Sequence, residues 1–167
     1  MRQLAVLIVP PPADMVEVEQ VRRRFDRLAE TVPAHVTLVF PFGLGFEDAA
    51  LMSHVRDVTD ALPAFDLELK DVTCSWDHYL FLVVGKGADK VRDLHDRLYS
   101  GLLQPMLSEQ EFTPHVTVGR FAAANECAAA MKTVDALGLQ VRTRAEALRI
   151  YDLTQMPYRV TAEIPFS

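Results

Sequence analysis

Two identical tripeptides carry side chains that could move protons. Residues 35–37 and 115–117 both read His-Val-Thr, one copy in each half of the 167-residue chain. A proline lies just upstream of each copy (Pro33 and Pro114), and an apolar, β-branched run follows. This context is typical of a strand that begins just after a proline. The repeat therefore predicts two strands that start alike.

Side chains alternate between the two faces of a strand. His35 and Thr37 are therefore expected to share one face of the first strand, and His115 and Thr117 one face of the second. The opposite face of the first strand is then expected to carry Val36, Leu38 and Phe40. If the two strands lie side by side, two imidazoles and two hydroxyls point into one cleft.

Such a set of groups suits acid–base catalysis at phosphorus. The unperturbed pKa of histidine is near 6.5, so one imidazole can take a proton from an attacking oxygen while the other protonates the leaving oxygen. Threonine hydroxyls can donate hydrogen bonds to the non-bridging oxygens as negative charge builds there. The residues leave open which histidine is acid and which is base. The scheme needs no metal, no cofactor and no covalent intermediate.

Three other interpretations of the motifs are weaker. A lone histidine on a strand is usually structural, but two with the same strand phase and a threonine two residues later argue against that interpretation. A zinc site needs three or four ligands, and no Asp, Glu or Cys lies within three residues of His35 or His115, so its other ligands would have to be distant. Nucleophilic catalysis needs an activated serine or cysteine, and no nucleophile-elbow pattern is present.

Composition limits the partners and the surroundings of the protein. The formal net charge of −6 argues against an extensive non-specific grip on a nucleic-acid backbone, because such affinity comes from many Lys and Arg contacts to phosphates. The apolar run at residues 4–9 is too short to span a membrane and lacks a signal-peptide cleavage pattern. We expect a cytoplasmic protein of one domain, residues 1–167, built from two lobes. Cys74 and Cys127 form neither a disulfide framework nor a zinc spacing, so we expect two buried or incidental thiols.

Helices and strands alternate around the two motifs. Sequence periodicity predicts helices at about residues 14–29, 47–62, 89–103 and 125–137, and further strands at 3–9, 65–74, 79–84, 141–153 and 158–164. Two pairs of successive strands are joined by short turns, which favours an α+β fold with antiparallel pairing. The turn before residue 79 carries Trp76, which could face a substrate, although we expect it to pack locally. The order of elements in the first half roughly recurs in the second.

The two motifs resemble those of the 2H (two-histidine) phosphoesterase superfamily, and within it the bacterial 2′-5′ RNA ligase-like proteins and RNA 2′,3′-cyclic phosphodiesterases. The Pro-His-Val-Thr-Val-Gly-Arg sequence at residues 114–120 is particularly similar. The resemblance implies a bilobal, pseudo-twofold α+β fold, with two mostly antiparallel sheets flanked by helices and a central cleft. It also implies metal-independent opening of a 2′,3′-cyclic phosphate, commonly to a 2′-phosphate. Some members instead join or cleave 2′-5′ linkages.

Carried over to this sequence, the resemblance makes His35 and His115 the catalytic pair. It implies that His115 is the base that activates water and that His35 is the acid, with Thr37 and Thr117 holding the phosphate. Arg120 is a further phosphate-binding candidate. Strict alternation from His115 would place its side chain on the face away from the cleft, so it can contribute only if the strand twists, bulges or ends there, or if it reaches over the edge.

Aromatic residues near the motifs could hold a base. Phe42 and Phe112 flank the two strands, and either could stack on a nucleobase. Burial in the core is the more frequent fate of a phenylalanine. Tyr151 and Tyr158 have the same two possible roles.

The acidic composition favours a small nucleotide, a short oligonucleotide or an RNA terminus with a cyclic phosphate over long RNA. It also weakens a ligase role, because joining requires a grip on two RNA ends. We expect a monomer that makes no membrane contact. The alternative from another class is a module that binds a nucleotide or RNA phosphate without turning it over. The paired histidines argue against it, since binding alone is better served by arginines or backbone amides.

Overall fold

The computed structural model describes residues 2–43 and 45–167. Over these residues the strands are β1 (Gln3–Ile8), β2 (Val36–Gly43), β3 (Phe65–Cys74), β4 (Tyr79–Val84), β5 (His115–Arg120), β6 (Gln140–Ala145), β7 (Ala147–Asp152) and β8 (Arg159–Pro165). The α-helices are α1 (Val16–Phe25), α2 (Asp48–Thr59), α3 (Ala88–Leu98) and α4 (Ala124–Asp135). Short 3₁₀ turns occupy Pro12–Asp14 and Gly101–Met106. The four predicted helices are present, and each is shorter than its periodicity suggested.

The strands form one antiparallel sheet in the order β6-β3-β4-β5-β2-β1-β7-β8. The α+β class with antiparallel pairing is thus confirmed. The two expected sheets are two four-stranded halves of this sheet, and a single registered pair, Val36 with Val116, joins them. The sheet curls, so that Phe65 at the start of β3 contacts Phe166 just after β8, with ring centroids 5.7 Å apart.

The predicted strand at 141–153 is wrong as a single element. It is divided at Glu146 into β6, which pairs with β3 at one end of the sheet, and β7, which pairs with β1 near the other. Both pieces alternate buried residues with more accessible ones over most of their length. Local periodicity therefore cannot reveal that the chain changes partners between them.

Each motif strand is supported by a helix from the other half of the chain. Helix α1 packs against β5, and α3 packs against β2. Val91, Leu94 and Leu98 of α3 recur at helical spacing and are fully buried, which is why this segment forms an amphipathic helix against the sheet. The main core lies between the helices and one face of the sheet. The other face is left to form a cleft.

Cys74 and Cys127 are joined in a disulfide, so the expectation of two free thiols is wrong. The bond links the end of β3 to the first turn of α4, and 53 positions of sequence separate its two ends. Sequence spacing alone could not identify the pair, because packing of α4 on β3 and β4 brings the two cysteines together. Within the described part of the chain, no helix has both the length and the apolar character needed to cross a membrane.

Candidate active site

The pair Val36–Val116 sets the geometry of the site. Because the two strands run antiparallel, extending this register places His35 opposite Thr117 and Thr37 opposite His115. Diagonal neighbours on one face of such a pair have Cβ atoms roughly 7–8 Å apart, which is the expected spacing of the two histidines. All four side chains line one cleft of about 940 Å³. The structure therefore brings together the four residues that the motifs singled out.

Both imidazoles are oriented by the backbone just before their own strand. Nδ1 of His35 lies 2.7 Å from the carbonyl oxygen of Pro33, and Nδ1 of His115 lies 2.6 Å from that of Thr113. A carbonyl oxygen can only accept, so Nδ1 carries the proton and donates in both rings. In the neutral ring this leaves Nε2 with a free lone pair. The residue two positions before each histidine thus fixes its tautomer.

Both histidines are held neutral in the free protein. Burial disfavours the imidazolium and lowers the pKa of His35 to about 4, with the nearby Arg22 and Arg120 lowering it further. Burial likewise lowers the pKa of His115 to about 4, with a further contribution from Arg120. The accepting carbonyls oppose these shifts but do not cancel them. Near pH 7 each histidine is therefore a base, and an acid forms only when something in the cleft favours the cation.

A β-bulge brings Arg120 into the cleft. Thr117 pairs with Phe81 and Gly119 pairs with Leu80, so Val118 has no partner of its own on β4. The extra residue resets the alternation, and the arginine side chain lies on the same face as His115 and Thr117. Of the conditions under which Arg120 can contribute, the structure realises the bulge.

Gly119, within this bulge, lies where neighbouring side chains leave no room for a Cβ atom. A Cβ atom there would lie 2.9 Å from the ring of Phe121 and 3.1 Å from Cβ of Phe25, both too close. The glycine therefore lets α1 approach β5 at the position just before Arg120.

Arg120 is fixed by a partly buried ion pair. Its Nε donates to Oδ1 of Asp26 at 2.8 Å, and Asp26 also accepts from Nε of Arg22 at 3.2 Å. Burial alone would raise the pKa of Asp26, but the N–H of Leu28 and the two guanidiniums lower it below the usual value. The Arg120 guanidinium also lies 4.9 Å from the ring centroid of Tyr79. Among the described residues only its Nε is engaged, so the terminal nitrogens remain for a ligand.

The first motif strand has a bulge at the equivalent place. Val6 pairs with Val39 and Leu7 with Thr37, which leaves Leu38 as the extra residue. Phe40, expected on the core face, is therefore turned to the cleft with 45% of its surface exposed. Phe42 is buried in the core, packed on Phe46, and does not line the cleft. The suggestion that Phe42 could stack on a base is wrong for this reason, and sequence reasoning missed Phe40.

One end of the cleft is aromatic. Phe112 lines it as suggested, with its ring centroid 6.5 Å from that of Phe40 in an edge-on contact. The ring of His95 also stacks parallel to the ring of Phe112, with centroids 3.9 Å apart. The hydroxyl of Tyr99 accepts from the N–H of Phe40 at 3.0 Å and keeps its own proton to donate. Sequence reasoning did not assign His95 or Tyr99 to the site, since α3 reaches it only through packing on β2.

Other residues expected near the site fall on different sides of it. Tyr158 is half-buried and lines the cleft, whereas Tyr151 is buried outside it. The ring of Phe81 on β4 stacks on His115, with centroids 3.4 Å apart and 14° between planes. Within residues 2–43 and 45–167, no group of three or more His, Cys, Asp or Glu is placed to hold a metal ion.

Solved structures share this fold along almost the whole chain. LigT of E. coli complexed with 3′-AMP superposes with a TM-score of 0.70 at 16% identity, covering 99% of this chain and 98% of that one. TT0787 of Thermus thermophilus gives a TM-score of 0.68 at 18% identity over the same shares. At these identities the likeness establishes the fold, a curled antiparallel sheet with flanking helices.

The family follows from the sequence. The model of the 2′-5′ RNA ligase superfamily matches residues 10–155, and the chain belongs to this superfamily. A curated relative from Geobacillus kaustophilus, named "putative phosphoesterase", is 27% identical over 69% of this chain and 67% of its own length. Another from Geobacillus sp. strain WCH70, with the same description, is 31% identical over 59% of this chain and 58% of its own.

Proposed function

We propose that the protein is a metal-independent phosphodiesterase that opens a 2′,3′-cyclic phosphate on a nucleotide or an RNA end. The observation that carries the proposal is the pair of imidazoles, each with Nδ1 donating to its own backbone and Nε2 free, in one cleft with two threonine hydroxyls. Membership of the superfamily and relatives described as phosphoesterases support reaction at a phosphate ester. LigT has been solved with 3′-AMP, which supports a nucleotide as the ligand class.

In the proposed reaction Nε2 of His115 accepts a proton from water as the water oxygen attacks phosphorus. The bond between phosphorus and the ribose 3′ oxygen breaks, and that oxygen takes a proton from Nε2 of His35. The product is a 2′-phosphate, and each histidine ends in the protonation state in which the other began. Thr37 and Thr117 donate to the non-bridging oxygens, and the terminal nitrogens of Arg120 add charge-assisted hydrogen bonds.

Binding of the substrate favours the protonated histidine that the reaction needs as its acid. Both histidines are neutral in the free protein, with pKa values of about 4. A bound phosphate anion favours the charged form of a nearby imidazole and raises its pKa. Protonation of His35 is therefore coupled to binding. A module that only bound phosphate would gain nothing from two neutral imidazoles, which is why we favour an enzyme over a binding module.

The test is hydrolysis of the four nucleoside 2′,3′-cyclic phosphates in the presence of a chelator, with ³¹P NMR to identify the product. We expect wild-type turnover to a 2′-phosphate and losses of about 10²–10⁴ in rate for His35→Ala and for His115→Ala. His54→Ala is the matched control. Its Nε2 also contacts a backbone carbonyl, that of Leu98 at 2.7 Å, but the residue does not line the cleft.

Two results would overturn the proposal. Activity that vanishes with the chelator and returns with zinc would mean that the reaction depends on a metal. No hydrolysis of the cyclic mononucleotides or of short RNAs ending in a cyclic phosphate would leave a phosphate-binding module as the better account. Thermal melts of all variants must show that the chains remain folded.

A further inference from the structure

The chain has one tryptophan, and it is the most exposed large apolar side chain on the rim of the cleft. Trp76 is 75% exposed and lines the same cleft as the two histidines. The expectation that it packs locally is therefore wrong. An indole left in water at the mouth of a catalytic cleft loses its hydrophobic stabilisation unless a ligand covers it.

The turn that carries Trp76 is held by a network of hydrogen bonds. Backbone bonds run from Ser75 N–H to the Tyr79 carbonyl at 2.8 Å, from His78 N–H to the Ser75 carbonyl at 3.1 Å, and from Phe121 N–H to the His78 carbonyl at 3.1 Å. The Ser75 hydroxyl donates to Asp77 and accepts from the Tyr79 N–H. The disulfide anchors the adjoining end of β3 to α4. The backbone beneath the indole is therefore already ordered, and binding a ligand there costs little further ordering.

Trp76 lies at the opposite end of the cleft from Phe40 and Phe112. Tyr79, which follows the turn, pairs with Arg120 at the last residue of β5, whereas Phe112 lies before the strand begins. With a strand rise of about 3.3 Å per residue, the backbone at Arg120 is about 15 Å from that at His115. The histidine pair thus lies between two aromatic ends of one cleft.

A nucleoside cyclic phosphate has one base and can occupy only one of these ends. The Phe40–Phe112 end has a Tyr99 hydroxyl with a proton to donate, which suits the edge of the reacting base. A stacked nucleic-acid strand rises about 3.4 Å per nucleotide. The distance from the histidines to the Trp76 end of the cleft therefore corresponds to more than one nucleotide. A second base is the natural occupant of the Trp76 end.

We propose that Trp76 is a stacking platform for a base upstream of the reacting nucleotide, so that short RNA ends are preferred over free cyclic mononucleotides. The identity of this ligand rests on the proposed function. The charges that line the cleft indicate that the second nucleotide is held by its base and not by its phosphate. The charged lining residues of the cleft outside the histidines are Asp77, Glu111 and Arg120, so a second phosphate finds little attraction there. Recognition through the base is consistent with that balance.

The kinetic test compares a trinucleotide ending in a 2′,3′-cyclic phosphate with the corresponding cyclic mononucleotide. Stacking of a base on an aromatic side chain is worth about 1–3 kcal/mol. We therefore expect Trp76→Ala to lower the ratio of kcat/KM for the trinucleotide to that for the mononucleotide by about 5- to 150-fold, mainly through KM. Trp76→Phe should keep most of the ratio. Leu137→Ala, which removes another exposed apolar side chain (59% exposed) away from the cleft, is the matched control.

Salt dependence distinguishes stacking from phosphate binding. Each phosphate contact to a single strand contributes a slope of about −0.7 in log affinity against log salt. We expect the trinucleotide-to-mononucleotide ratio of kcat/KM to change little with salt. A slope of about −0.7 or steeper, or an unchanged ratio in Trp76→Ala, would overturn the inference. Equal losses on both substrates would also overturn it, because the indole would then hold the reacting base.

Binding can be read without turnover. The single tryptophan makes intrinsic fluorescence a direct probe of position 76. We expect a trinucleotide ending in a 3′-phosphate, which has no ring to open, to quench the emission at much lower concentration than a 3′-mononucleotide does. If wild type hydrolyses no cyclic phosphate yet shows this quenching, the proposed reaction fails and the second-base site stands. If it hydrolyses them without this difference, the reverse holds.

Discussion

The two motif strands are alike up to the bulge and differ immediately after it. Each has His, Thr, an unpaired bulge residue and then a side chain turned into the cleft, five positions after the histidine. In β2 that side chain is Phe40, and in β5 it is Arg120. The histidines and threonines therefore make a symmetrical centre, whereas the side chain beyond the bulge is a phenylalanine towards one end of the cleft and an arginine towards the other. A pseudo-twofold fold can thus place two different surroundings on either side of one pair of histidines.

The sharpest way to break this symmetry is to remove the need for an acid. His35→Ala and His115→Ala should each lose about 10²–10⁴ in rate on a cyclic phosphate. A diester with a p-nitrophenol leaving group departs without protonation, so on it His35→Ala should recover to within about 10-fold of wild type if the acid's contribution is all that is lost. His115→Ala should stay low. Release of p-nitrophenolate, followed by absorbance, measures both.

Recovery of His115→Ala instead would reverse the assignment of acid and base. Equal recovery of both variants, or of neither, would show that the two halves do not divide the proton transfers in this way.

The two side chains beyond the bulges should differ in which kinetic constant they affect. A hydrogen bond to a charged group is worth about 1.5–3 kcal/mol. Arg120→Ala should therefore lower kcat/KM by about 10- to 150-fold, mainly through a lower kcat. It should also lower the melting temperature, because it removes one of two cationic partners from the buried Asp26. Phe40→Ala should raise KM and leave kcat nearly unchanged.

Arg120→Gln, scored by the same kinetics and melts, is the control for side-chain volume. If Phe40→Ala reduced kcat as strongly as Arg120→Ala does, the contrast between the two ends of the cleft would be lost.

The pH dependence should differ between free and bound enzyme. The profile of kcat/KM reports groups of the free enzyme, whose histidine pKa values are lowered to about 4 by burial. Lowered pKa values leave both imidazoles deprotonated at pH 7, so kcat/KM should rise as the pH falls below neutrality. In the complex the phosphate anion raises the pKa of the acid, and the optimum of kcat should lie at higher pH.

Stopped assays from about pH 4 to 9, a range that spans the free and shifted histidine pKa values, at low and at saturating substrate separate the two profiles. Coincident optima near pH 6.5 would mean that neither burial nor the bound anion shifts the histidines.

The smallest expected effect on kcat comes from Phe81, whose ring stacks on His115 but has no counterpart at His35 among the described residues. Such aromatic pairs are worth about 0.5–1.5 kcal/mol. Phe81→Leu should therefore lower kcat by about 2- to 12-fold. Loss of the same size in a His115→Ala background would show that the ring acts on something other than this histidine.

What the sequence could predict was whatever depends on local periodicity. The alternation in the two motif strands correctly grouped His35 with Thr37 and His115 with Thr117, and it predicted the helix and strand order. It failed at Phe40 and Arg120, because each lies just beyond a bulge, whereas a second register shift returns Phe42 to the core face that alternation predicts. A bulge is a property of the pairing between two strands, which one strand's sequence does not contain.

The other misses are also non-local. The division of the predicted strand at Glu146 depends on which distant strands its two pieces pair with. The exposure of Trp76 depends on a turn held by Phe121, far along the chain. The chemical roles of the site residues stay predictions, since periodicity and geometry both describe where a group lies and not what it does.

The disulfide closes a covalent loop that contains part of the site and leaves the rest outside it. The closed loop from Cys74 to Cys127 contains His115, Thr117 and Arg120, whereas His35 and Thr37 lie outside it. For a loop of this length the entropy lost by the unfolded chain corresponds to about 4 kcal/mol in the chain-entropy model. A protease that cuts once inside the loop leaves two fragments still covalently joined, and reductant then separates them. Gel mobility with and without reductant after limited proteolysis thus reports directly on which half of the cleft has opened.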